Sequence, residues 1–69
     1  MKTQLSNAYL HASIACSSIQ DAHSAAIKAE DQFAEIVLID LLDEAHALRK
    51  RIARALDAVN AADGGEVQP

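Results

Sequence analysis

Between Phe33 and Leu42 the chain reads Phe-Ala-Glu-Ile-Val-Leu-Ile-Asp-Leu-Leu, and this stretch constrains the fold more than any other. At about 100° per residue its apolar side chains fall on every side of a helix. Phe33, Val37 and Leu41 take one flank, Leu38 and Leu42 the next, and Ile36 and Ile39 the remainder. Only Glu35 and Asp40 interrupt the ring. A helix that is apolar all round must be covered all round. A chain of 69 residues has little with which to do so, so the segment calls for neighbours from more than one chain.

Size sharpens the point. One small domain of this length sits near the limit at which a single core suffices. Hydrophobic residues make up 51% of the chain, but much of that is alanine, which contributes little buried area. Tyr9 and Phe33 are the two aromatics, and a single cysteine, Cys16, excludes an internal disulfide. Self-association is the remaining usual remedy. The net charge of -4 disfavours nucleic acid or an anionic membrane as a partner. No apolar run reaches the length of a membrane span. Lys2 followed by Ser13-Ile14-Ala15-Cys16 loosely imitates an export signal, but Gln4, Asn7 and His11 break its apolar stretch. A cytoplasmic protein is expected.

Glycine and proline are absent from Thr3 to Ala62, while alanine, leucine, glutamate and arginine abound, which is the composition of helices. Leu5, Ala8, Ala12, Ala15, Ile19, Ala22, Ala26 and Ala29 form a first seam at alternating spacings of three and four. Ser6, Ser13, Ser17, Gln20 and Ser24 line one side of it, and Leu10 and Ile14 lie opposite. Leu38, Leu41, Ala45, Leu48, Ile52, Ala55, Val59 and Ala62 form a second seam, out of phase with the first. That break predicts a turn near residues 29–31, with Asp31 as N-cap and Glu35 in the first helical turn. One uninterrupted helix is the alternative, since no breaker residue marks the site. The fold class expected is therefore all-α. An antiparallel hairpin of helices at about 3–28 and 32–62 makes a single domain over residues 1–63. Asp63-Gly64-Gly65 is expected to cap the second helix, with a disordered tail over 64–69.

In such a hairpin Ala8, Ala12 and Ala15 fall opposite Ile52, Leu48 and Ala45, so small side chains largely meet large ones. One face of the second helix stays wet, and pairing two hairpins into a homodimeric four-helix bundle would cover it. The second helix begins acidic (Glu30, Asp31, Glu35, Asp40, Asp43, Glu44) and turns basic (Arg49, Lys50, Arg51, Arg54). Two copies laid antiparallel about a two-fold axis near residues 44–47 match acid to base. The expected dimer interface comprises Leu10, Ile14, Phe33, Val37, Leu38, Leu42, Glu44 and Arg51.

Little in the chain reads as chemistry. Asp43-Glu44-Ala45-His46 spells a helicase box, but no glycine-rich phosphate loop accompanies it. Asp43 and His46 have the spacing of a bundle metal motif, yet both sit away from the expected seam and lack further carboxylates across it. His23 lies on the apolar side of the first helix, as a packed histidine or a pH-sensitive contact. Cys16 reads as a small buried hydrophobe, without the base or cleft a nucleophile needs. Neither an enzyme nor a cofactor or metal site is expected.

Two function classes remain. The first is a small non-catalytic adaptor, inhibitor or regulator that pairs with itself and docks on an unidentified protein. Its docking residues would be Ile36, Ile39, Asp40, Asp43 and His46, with Arg49 and Arg54 at the rim. The second is a dimeric RNA- or DNA-binding regulator built on the basic cluster Arg49, Lys50, Arg51 and Arg54. Such a protein would be similar in shape to the Rop-type plasmid hairpin, though no motif is shared. Nucleic-acid binding needs a continuous basic face, and the first helix offers only Lys2 and Lys28.

Overall fold

A computed structural model describes the backbone of residues 1–67 and the side chains of residues 1–62. Two helices account for it: α1 over Lys2–Lys28 and α2 over Gln32–Val67. They pack side by side as a hairpin, 58 Å long and 15 Å in each cross-section. The chain is all-α over its described residues, and the single long helix does not form.

The phase break between the two seams is where the chain turns, and the turn is made without glycine. Three backbone bonds of 3.0 Å wind down α1: Ala29 N–H to the Ala25 carbonyl, Glu30 N–H to Ile27 and Asp31 N–H to Ala26. The last two are the nested pair of a Schellman motif. That motif needs one residue in the left-handed region, and Glu30 takes it, with φ of 56°. For a residue with a Cβ this costs on the order of 1 kcal/mol. α2 then starts on a side-chain cap. The Asp31 Oδ1 accepts from the Ala34 N–H at 3.1 Å, and the Asp31 carbonyl accepts the first helical bond, from Glu35, at 3.0 Å.

At the far end α2 runs on to Val67, past the expected stop at Asp63-Gly64-Gly65. A helix-interior glycine costs only about 1 kcal/mol relative to alanine, so composition alone does not end a helix already propagating. The expected tail over 64–69 is thus helical as far as Val67, and its last two residues lie outside the described residues.

The packing is real but thin. Ala12, Cys16 and Ala26 are the buried residues of α1. They sit in a row with half-buried Leu5, Ala8, Ile19 and His23. Facing them from α2, Ala34, Leu38, Leu42, Ala45, Arg49, Ile52, Leu56 and Val59 are all half-buried. This is not quite the expected pairing. Ala15 and Ala22 are exposed and Cys16 and His23 replace them; likewise Leu41, Leu48 and Ala55 yield to Leu42, Arg49 and Leu56. The alternative positions lie one residue along, and a single neighbouring helix covers only part of so wide an apolar arc.

Candidate interaction site

Wherever a side chain on this hairpin is not against the opposite helix, it faces solvent, and many of those side chains are large and apolar. Among the described residues Leu10, Ile14, Ile27, Phe33, Ile36, Val37, Ile39, Leu41 and Leu48 are exposed, Phe33 to 77% and Ile36 to 68%. A compact protein of 7.4 kDa exposes about 4,200 Å². This chain exposes 5173 Å².

Helix geometry sorts these residues onto two open sides and two backs. In an antiparallel pair of right-handed helices, residue number advances clockwise in one and anticlockwise in the other when seen from one end. Positions preceding the inward direction on both helices therefore border the same open side. On α1 these are Ala15 and Ala22, with Ala8 at the seam's edge; on α2 they are Val37, Leu41, Leu48 and Ala55, with Phe33, Glu44 and Arg51 further round. The other open side carries Tyr9, Ser13, Gln20, Ser24 and Ile27 from α1, and Ile39, His46, Lys50 and Asp57 from α2. One open side is mostly apolar and the other mixes polar with apolar side chains.

The residues expected to dock a partner divide accordingly. Ile36, Ile39, Asp43 and Arg54 are exposed on the outer quarter of α2 next to the mixed side, with Asp40 adjoining. His46 is half-buried at the border of that side, and Arg49 is half-buried in the seam against α1. An arginine tolerates this because its aliphatic stem packs while its head reaches water. The residues expected at a dimer interface divide as well. Phe33, Val37, Glu44 and Arg51 border the apolar side, Leu38 and Leu42 are half-buried toward α1, and Leu10 and Ile14 are exposed on the back of α1. Sequence reasoning left out Leu41 and Leu48 by assigning both to the hairpin seam.

The basic cluster splits: Lys50, Arg51 and Arg54 are exposed within about 100° of one another on the outer face of α2, while Arg49 is half-buried towards α1. Cys16 is buried as a free thiol. Among the described residues no three His, Cys, Asp or Glu side chains converge, and no cavity is found. No helix among them is long and apolar enough to cross a membrane. The fold and its surface thus define a two-helix hairpin with unpartnered apolar faces. Comparison with known protein families, with curated proteins and with solved structures finds no match to the chain.

Proposed function

We propose that the chain is a small non-catalytic interaction module. It pairs with itself as a homodimeric four-helix bundle and docks on another protein through the outer quarter of α2. The observation that carries this reading is the exposed apolar surface. Among the described residues large apolar side chains stand in water along both helices, Phe33 to 77% and Ile36 to 68%, and exposed apolar surface of this extent marks an interaction site. Ile36 and Ile39, rimmed by Asp40, Asp43 and Arg54, have the make-up of a protein-docking strip: apolar in the middle and charged at the edge. The nucleic-acid reading has less support: Lys50, Arg51 and Arg54 share the outer face of α2, but exposed Asp40, Asp43, Glu44 and Asp57 lie on or beside it, and α1 adds only Lys2 and Lys28.

The test pairs an assembly measurement with a binding one. Light scattering behind gel filtration at micromolar concentration is expected to give twice the chain mass. Ile39→Asp is expected to keep that mass and the helical circular dichroism while losing a protein that the unaltered chain captures from host extract. Loss of the dimer in that variant would make Ile39 structural and the docking assignment wrong. Capture of RNA or DNA with steep salt dependence would favour the nucleic-acid reading instead.

A further inference from the structure

The two open sides of the hairpin differ in a way that says what covers one of them. Alanines 15 and 22 of α1 border the apolar side, as do Val37, Leu41, Leu48 and Ala55 of α2, and all but the alanines are large. Small side chains on α1 let a neighbouring backbone approach closely there, while α2 supplies the bulk. The opposite open side is mixed, with Ser13, Gln20, Ser24, Lys50 and Asp57 interleaved with Tyr9, Ile27 and Ile39. We propose that a second copy of this chain seats on the apolar side, with α2 antiparallel to its counterpart and Glu44 opposite Arg51 of the partner subunit. The proposal rests on the self-association reading above and adds to it a face and a register.

Charge selects the register. Glu44 and Arg51 stand one heptad, or two helical turns, apart on the flank of α2 that faces this side. A two-fold axis midway between them therefore brings each against the other's counterpart. Both pairs form at once, because the axis repeats the contact. The same axis places Phe33 opposite Ala62 of the partner subunit and Val37 opposite Ala58 of the partner subunit. Leu41 falls level with Arg54 of the partner subunit and beside Ala55 of the partner subunit, and Leu48 lies beside the axis and meets its own counterpart. Away from the axis large therefore mostly meets small along α2, as a close-packed seam requires. Shape and charge are independent, yet they agree on one axis. The face differs from the one expected from sequence, for Leu10 and Ile14 stand on the back of α1 and take no part in it.

Cross-linking reads the face directly. In a Cys16→Ala background, Leu48→Cys is expected to form an intermolecular disulfide under mild oxidation, and Ile39→Cys is expected to stay monomeric on a non-reducing gel. Independently, Glu44→Arg is expected to weaken the dimer about ten-fold, from two lost pairs and two repulsions. Adding Arg51→Glu restores the pairs with reversed sign and recovers most of the loss. A dimer that cross-links through Ile39→Cys and not Leu48→Cys, or that ignores both charge changes, overturns the face and register while leaving self-association standing. A monomer at micromolar concentration for the unaltered chain overturns both.

Discussion

The two helices share one interface and bury very different things in it. α1 contributes the three buried residues, Ala12, Cys16 and Ala26, and all are small. α2 contributes leucines, isoleucine and valine, and among its described residues none is more than half-buried. In a two-helix hairpin a small side chain vanishes beneath the neighbouring helix, but a large one reaches past it into water. Depth of burial here measures side-chain size as much as position. Cores of this kind gain closeness from one helix of the pair and apolar area from the other.

Enlarging the small side breaks the contrast most severely. Cys16→Phe drives a ring into the most buried position of the seam, 4% exposed, and is expected to destabilise the fold by about 3 kcal/mol. Chemical unfolding followed by circular dichroism at 222 nm measures it, and a neutral result would mean the helices are not held at that point. Shrinking the large side comes next. Leu42→Ala is expected to cost about 2 kcal/mol, at the low end for such a truncation, because the side chain is only half-buried and the gap opens to solvent. If Leu41→Ala cost more than Leu42→Ala in a dilute monomeric sample, α2 would turn Leu41 and not Leu42 towards α1.

The junction repeats the contrast at smaller scale. α1 ends on backbone bonds with Glu30 strained at φ of 56°, whereas α2 begins on the relaxed side-chain cap from Asp31. Asp31→Ala is expected to cost about 1 kcal/mol. Glu30→Gly is expected to stabilise the hairpin by about 0.5 kcal/mol, the relieved strain less the added freedom of the unfolded chain. Thermal melts of the pair should move in opposite directions.

Helix content was legible from composition, and the turn from two seams that could not be one. Asp31 as N-cap was legible because a short acidic side chain preceded the new phase. Glycine misled only at the far end, where α2 passes through Gly64 and Gly65; at the turn the phase break sufficed without it, and Glu30 takes the left-handed position. The seam was legible only to within one residue. Leu41 and Leu42, or Leu48 and Arg49, are neighbours on a wide apolar arc, and apolarity favours Leu48 over Arg49 however the helices settle. An arc this wide has more than one neighbour to satisfy, so the displacement and the expected docking surface share a cause. What the docking surface recognises left no motif in the residues, because an apolar strip with a charged rim specifies a shape and not a ligand.

The three-residue connection also sets the order in which the molecule assembles. Closing a chain segment costs entropy that rises with the logarithm of its length. Contacts between the end of α1 and the start of α2 close only a handful of residues; those between the start of α1 and the far part of α2 close most of the chain. Each contact made shortens the loop that the next must close, so the hairpin zips from the turn towards its open end. Such local topology belongs with fast folding. Run in reverse, the same hierarchy makes the free ends of an isolated hairpin open first, and amide exchange there runs ahead of exchange near residue 30. The segment from Phe33 to Leu42 lies at the turn, within the part that forms earliest and opens last. The most apolar stretch of the chain is therefore the one least often unfolded, which limits the time it spends as an aggregation hazard.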